Sequence, residues 1–370
     1  MKIDYISVSD IPSDSANSVH VMKMARELSR LSDDFRLFCK LHSLDSDAFE
    51  YYGVSNKFRL VNVFTLNFPI VSALLYAIIL NLKRGLGVWS RLAYGRHLLS
   101  IVLANFIGGR VVYESHAMPS GKLAEFLERY LLGSGKCLFI VVISQSLKND
   151  YVALMGEAAE AKILVLHDGA DKLDIKNEFS KEGIEKLNVG YVGHLYEGRG
   201  VEVIVGCAKL RPNYNFYLLG GTPEDLDKWK RRVELPNLIF LGHKPHSEVD
   251  RYYKEFDVLL APYQNKVSNR TGVSDTSRWM SPMKVFEYMA QGRPIICSKI
   301  EVLEEVLSDN ENAILVNPDS VEAWVASIDR LNEDPVLREY LGGNARRDLE
   351  INYTWAARAE KVIENILSRI

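Results

Sequence analysis

The sequence predicts an α/β protein of two Rossmann-like domains facing across a cleft, and three observations carry that prediction. With 370 residues, 47% hydrophobic and 25% charged, the chain exceeds one small core and suits two domains of roughly 150–200 residues. Short β-branched and aromatic runs alternate with helix-length amphipathic segments, the pattern of a parallel sheet wrapped by helices. The same alternation then restarts halfway along.

In the first half, Lys2 to Ser9 reads as a strand and Asp10 to Ser18 as a polar loop. A helix follows with Val21, Met22, Ala25, Leu28 and Leu31 on one face. Further strands are expected at Leu86–Ser90, Arg110–Tyr113 and Leu138–Ser144. Asp171 to Lys186, polar and without periodicity, reads as a linker between a first domain over 1–180 and a second over 187–352. In the second half Val189–Leu195 is a strand, followed by a glycine-bearing loop and a helix from about Val201. Strands are expected at Asn215–Leu219, Leu238–Leu241, Val258–Ala261, Ile295–Cys297 and Ala313–Val316. In sheets of this kind ligands bind at the C-terminal ends of the strands.

Charge and cysteine content exclude several classes. A net charge of −3 disfavours a general nucleic-acid binder. The four cysteines, Cys39, Cys137, Cys207 and Cys297, are too widely spaced for a zinc motif and read as reduced thiols of a cytoplasmic protein. The charged N-terminus does not read as an export signal. Phe68 to Leu80, the longest apolar run, is too short to span a membrane. That run lies inside a stretch from Tyr51 to Tyr113 that has no acid but carries Lys57, Arg59, Lys83, Arg84, Arg91, Arg96 and Arg110. Either it docks on an anionic membrane surface from the cytoplasmic side, or it is a buried helix with its cations scattered over the surface. Asp45-Ser46-Asp47 is read as a turn, and no metal site is expected.

Two segments carry candidate chemistry. In Ser281 to Pro294, Ser281 reads as a helix N-cap, Pro282 as the first helical residue, and Gly292 as the stop. Lys284 in the first turn opposes the helix dipole, at about 0.3–1 kcal/mol. Either an anion lies between the lysine and the helix amides, or Lys284 pairs with Glu287. The second segment, Val192 to Gly200, follows a strand and opens a helix; its glycines allow close backbone approach, and Arg199 can fork onto phosphate oxygens. Two cations at two helix starts point to a diphosphate.

These segments, with Asn237–Gly242, Tyr252–Tyr263, Val112–His116, Leu166–Asp171 and Tyr353-Thr354-Trp355, resemble in their number and order the retaining glycosyltransferases of the GT-B fold, glycosyltransferase family 4. The resemblance runs nearly end to end and implies transfer of a sugar from a UDP- or GDP-linked donor to a saccharide acceptor, lipid-linked, in cell-surface polysaccharide assembly. It implies catalytic roles for His116, beside the transferred sugar, and for Arg199 and Lys284 on the diphosphate. Asn17 and Ser18 match the small-residue loop that reaches the donor, Gly193 and His194 the diphosphate loop, and His243 the base site. Ser281, Met283 and Val285 match the donor-binding helix, Glu287 the ribose-binding glutamate, and residues 353–370 the helix that crosses back to the first domain. It implies no cofactor and no metal, because protein cations neutralise the leaving group.

Three departures stand out. Trp279 replaces the first glutamate of the signature, with Asp275 as a possible substitute. His194 replaces an arginine, and Asn17-Ser18 replace paired glycines. A nucleotide-sugar epimerase of the same fold and a non-catalytic subunit of a glycosyltransferase complex are the alternatives.

Overall fold

The computed structural model describes all residues except 14, 43–46, 64–68, 86–89, 175–185, 245, 268–274 and 276. All but Ser90 of the expected strand at Leu86–Ser90, Asp45-Ser46 of the turn, the head of the apolar run and most of the linker lie outside the described residues. The elements begin β1 (Lys2–Ile11), α1 (Ala16–Arg30), β2 (Asp34–Leu41), α2 (Ala48–Tyr51), β3 (Arg59–Asn62), α3 (Pro69–Arg84), β4 (Leu92–Gly95) and α4 (Leu98–Phe106). Then come β5 (Val111–Ser115), α5 (Lys122–Gly133), β6 (Cys137–Val142), α6 (Gln145–Met155) and β7 (Ile163–Val165). The second half contains β8 (Asn188–Val192), α7 (Val201–Leu210), β9 (Asn215–Leu219), α8 (Pro223–Arg232), β10 (Leu238–Gly242), α9 (His246–Tyr253) and β11 (Val258–Ala261). It ends with α10 (Met283–Gln291), β12 (Ile295–Ser298), α11 (Glu301–Glu304), β13 (Ile314–Val316), α12 (Val321–Glu333), α13 (Pro335–Asp348) and α14 (Trp355–Leu367).

The chain divides into two compact units, Met1–Asp168 with Trp355–Ile370, and Gly169–Thr354. Each holds one parallel sheet, so the α/β class and the pair of Rossmann-like domains expected of a GT-B fold are found. The first sheet has the order β3-β2-β1-β4-β5-β6-β7 and the second β10-β9-β8-β11-β12-β13. Strand order reverses between β1 and β4 in one and between β8 and β11 in the other, which marks each switch point as the place for a ligand.

Packing in the first unit corrects the sequence reading of its cations. Arg84 and Arg91 are buried rather than solvent-facing. Both converge with Arg36 on the buried Asp4 carboxylate at the start of β1, with nitrogen–oxygen distances of 2.7–2.8 Å. A carboxylate in the core needs such partners, since removing one side of a buried pair typically costs about 3–5 kcal/mol. Lys57 pairs with Asp47 at 2.8 Å, and Asp47 itself caps α2. On α1 the face runs through Val21, Met22, Ala25 and Leu28 as expected, but Leu31 is the exposed C-cap.

In the second unit the sheet separates two apolar layers. One gathers Tyr191, Ile204, Phe216, Leu218, Leu260 and Trp324. The other gathers Tyr263, Val285, Phe286, Tyr288, Met289 and Leu303. The four cysteines are buried and unpaired. Among the described residues no helix is long and apolar enough to cross a membrane.

Candidate active site

At the β8/β11 switch point, the loops leaving the two strands come together with the start of α10. Gly200, in the left-handed region at φ +76°, caps α7, and a Cβ there would lie 1.8 Å from the Pro262 carbonyl oxygen. Only glycine lets the loop after β8 pass the end of β11 so closely. Gly193 has φ +149°, and a Cβ on it would meet Lys284 Nζ at 3.1 Å. The amine therefore sits against bare backbone.

Lys284 Nζ is buried between two aromatic rings, 4.1 Å from the Tyr191 centroid and 4.6 Å from that of Tyr263. It has no hydrogen-bond partner among the described residues. The expected alternative, an ion pair with Glu287, does not form. Burial pushes the ammonium well below its ordinary value, and the Arg199 charge adds to the effect. Arg199 lies over Tyr196 and Tyr263, at 4.9 and 5.5 Å, and donates from Nη2 to Tyr196 Oη at 3.0 Å. Its Nε is buried without a hydrogen-bond partner among the described residues. Two basic side chains thus meet on the Tyr263 ring, and among the described residues no carboxylate forms an ion pair with either, so the site favours an anion.

The start of α10 differs from its expected form. The helix begins at Met283, with Pro282 rather than Ser281 at the N-cap, and no side chain caps it. Ser281 is buried just before it. Proline has no hydroxyl to offer the first-turn amides, and those of Met283 and Lys284 have no hydrogen-bond partner among the described residues. Val285 is not free to bind: its side chain is in the core and its amide donates to the Pro282 carbonyl at 2.9 Å. The helix stops at Gly292, φ +64°, as expected. Glu287 is half-buried beside Tyr253, whose phenol is raised by burial and then by the Glu287 charge.

The remaining residues expected in this unit are more peripheral. His194 is exposed and stacks on Tyr196 at 5.0 Å, and its carbonyl accepts from Tyr191 Oη at 2.5 Å. His243 is exposed after β10. Asp275, considered as a replacement for the glutamate at Trp279, accepts the amides of Val267 and Ser277 at 3.0 and 2.9 Å. It organises its own loop.

In the first unit His116 follows β5, with Nε2 2.6 Å from Glu114 Oε1. Burial, and secondarily Arg96, lower His116 to about 4, so its imidazole is neutral near pH 7. The same Glu114 oxygen faces His20 Nε2 at 2.9 Å, and His20 Nδ1 faces Asp168 at 2.9 Å. Arg358 on α14 approaches Glu114 at 3.3 Å, and Tyr94 donates to its other oxygen. Burial raises the Glu114 carboxyl, but Arg358, His20 and His116 outweigh it and hold it well below its usual range. His20, Glu114 and His116 have ligand atoms within 4.8 Å of one another, a spacing a metal ion could bridge. The Arg358 guanidinium already neutralises the shared oxygen and opposes a second cation there. Asn17 donates to Ser9 Oγ at 2.6 Å, and its Oδ1 has no partner among the described residues. Ser18 does not present a free group: it is buried, with its hydroxyl and amide tied to Ser13 and Ser15.

Sequence reasoning did not single out the phenol walls Tyr191 and Tyr263, because aromatics at strand ends look like core. It also missed His20, Asp168 and Arg358, which meet only through the fold.

Known proteins resemble this chain in sequence and in fold. The family model for glycosyl transferases group 1 matches residues 174–348. The chain is 24% identical over 245 residues to the uncharacterized glycosyltransferase MJ1607 of Methanocaldococcus jannaschii, covering 60% of this chain and 58% of that protein. It is 25% identical over 234 residues to the capsular polysaccharide biosynthesis glycosyltransferase CapM of Staphylococcus aureus, covering 58% and 57%. These alignments thus span well under two thirds of either relative. Among solved structures, Anabaena Alr3699/HepE in complex with UDP superposes with a TM-score of 0.74 at 16% identity, covering 100% of both chains. The fold is therefore GT-B, and the stretch that matches the glycosyl transferases group 1 model, residues 174–348, holds Arg199 and Lys284.

Proposed function

We propose that the chain is a retaining glycosyltransferase of family 4 that moves a sugar from a nucleotide diphosphate donor to a lipid-linked saccharide in polysaccharide assembly. The observation that carries the reading is the pair of unanswered cations, Lys284 and Arg199, at the β8/β11 switch point. A diphosphate supplies the missing charge. Support for the donor comes from Anabaena HepE, solved with UDP and with UDP-glucose. Support for the pathway comes from the capsular glycosyltransferase CapM.

In the reaction the bond from the anomeric carbon to the diphosphate oxygen breaks, and a bond to an acceptor hydroxyl forms on the same face. The departing phosphate oxygen takes the hydroxyl proton. Lys284 and Arg199 stabilise the charge that develops on the diphosphate, the kind of preorganised contact worth about 10²–10³ in rate. No protein nucleophile, cofactor or metal enters this scheme. The resemblance assigns His116 to the transferred sugar.

The test is donor binding and turnover. UDP or GDP should stabilise the protein thermally, the product should keep the donor's anomeric configuration by NMR, and Arg199→Ala should lose about 100-fold in turnover. A protein indifferent to every nucleoside diphosphate would refute the reading. Release of an epimer without acceptor would select the epimerase.

A further inference from the structure

Three neighbouring helices of the first unit present large apolar side chains to solvent. Helices α3, α4 and α5 each join one parallel strand to the next, and right-handed crossover lays them side by side on one face of the sheet. Helix α4 packs against both others. On α3, Leu74, Ile78 and Leu82 recur every fourth residue along the outer face, and Leu82 is 73% exposed. Phe106 at the end of α4 is 75% exposed, and on α5 Leu123 and Phe126 are 69% and 66% exposed. Single exposed apolar residues are ordinary. A run of them across three adjacent helices marks an interaction surface.

Charge selects the partner. Helices α3 and α4 contain no acid. On α5, Glu128 is buried and Glu125 pairs with Arg129 at 2.8 Å. Exposed Lys83, Arg110 and Lys136 lie at or just beyond the C-terminal ends of the three helices, Arg110 and Lys136 directly before β5 and β6. A second copy docking on this face about a two-fold axis would set these cations against one another. An apolar face rimmed by cations instead suits an anionic bilayer, where apolar side chains enter the headgroup–acyl boundary and each basic residue adds about 1 kcal/mol.

We propose that the α3–α4–α5 face docks on an anionic membrane surface through Leu82, Phe106 and Phe126, with Lys83, Arg110 and Lys136 on the headgroups. This revises the sequence expectation, because Arg84 and Arg91 belong to the Asp4 cluster and not to the surface. The inference does not depend on the glycosyltransferase reading.

Sedimentation of the full chain with phosphatidylcholine–phosphatidylglycerol vesicles, against phosphatidylcholine alone, tests it. The protein should pellet with the mixed vesicles. Leu82→Ser/Phe106→Ser/Phe126→Ser should weaken partitioning at least ~10-fold. Lys83→Glu/Arg110→Glu/Lys136→Glu should erase the preference for phosphatidylglycerol. Equal recovery of the wild type in both supernatants, or a serine variant that pellets like the wild type, would overturn the proposal. So would a dimer in sedimentation velocity that the serine variant abolishes. Thermal stabilisation by UDP, measured on the same variants, should be unchanged; its loss from the wild type alongside intact vesicle binding would refute the donor reading alone.

Discussion

The Lys284 ammonium lies 4.1 Å from the centroid of the Tyr191 ring and has no hydrogen-bond partner among the described residues. Ring faces attract a cation, but they do not replace the water it has left. Holding a proton on this amine therefore costs desolvation, and a bound anion would offset that cost. Lys284→Met, similar in volume and without charge, should raise the stability of the free protein by about 1–3 kcal/mol in urea unfolding. The same variant should lose thermal stabilisation by UDP. A variant less stable than wild type, or one still stabilised by UDP, would show that the amine serves packing rather than an anion.

The same amine makes both stability and binding pH-dependent. Its folded-state value is well below the ordinary 10.5, chiefly from burial. Between that lowered value and 10.5 the unfolded chain binds the extra proton, so stability rises with pH across the window and levels off above it. A diphosphate bound beside the amine would restore the proton. Affinity should fall as pH rises through the free protein's lowered value, with proton uptake seen by calorimetry in buffers of different ionisation enthalpy and absent in Lys284→Met.

Glu128 gives a slope of opposite sign. It is buried on α5, accepting from Tyr151 at 2.7 Å and Tyr113 at 3.3 Å. Burial lifts it to about 7 against those hydrogen bonds. Its folded-state value is above the unfolded one, so its contribution is complete below the ordinary 4.5 and is lost as pH rises through about 7. Glu128→Gln should remove that fall, so that wild-type stability drops relative to the variant between about pH 5 and pH 8. Parallel stability curves for the two would refute it.

Arg358 should be the most costly single residue of α14 to remove. Besides Glu114 it donates to the carbonyls of His167 at 2.9 Å and Leu166 at 3.3 Å. Arg358→Ala leaves Glu114 buried without its guanidinium, at about 3–5 kcal/mol in urea unfolding. Arg358→Lys should recover only part, since an ammonium cannot reproduce the fork. A loss below about 0.5 kcal/mol would mean the network is dispensable.

Legibility in the sequence followed locality. Asn215–Leu219 and Val258–Ala261 coincide with β9 and β11 because each is a short apolar run bounded by polar or turn-forming residues. Strand β2 escaped notice because Arg36 and Lys40 interrupt its apolar pattern, and Arg36 is answered only by Asp4 on the neighbouring strand. Strand β4, four residues long, is lost in an apolar and cationic stretch. The seven cations between Tyr51 and Tyr113 read as either a membrane-docking set or a surface scatter, yet Arg84 and Arg91 are inside because their carboxylate lies far upstream in the chain. Lys284 was legible because a cation in a helix's first turn is anomalous on local grounds alone. Its aromatic enclosure was not, since the fold brings Tyr191 and Tyr263 together from two strands.

The first unit begins at Met1 but is closed by α14, and the Arg358–Glu114 contact joins residues 244 apart. Translation reverses the order that the numbering suggests. The second unit, an uninterrupted segment, has all its contacts available before the first unit has its own. Until α14 leaves the ribosome, Glu114 is a nascent-chain carboxylate with histidines but no guanidinium to neutralise it. A chain cut short before Trp355 keeps every residue of the second unit and leaves the first, synthesised earlier, unfinished.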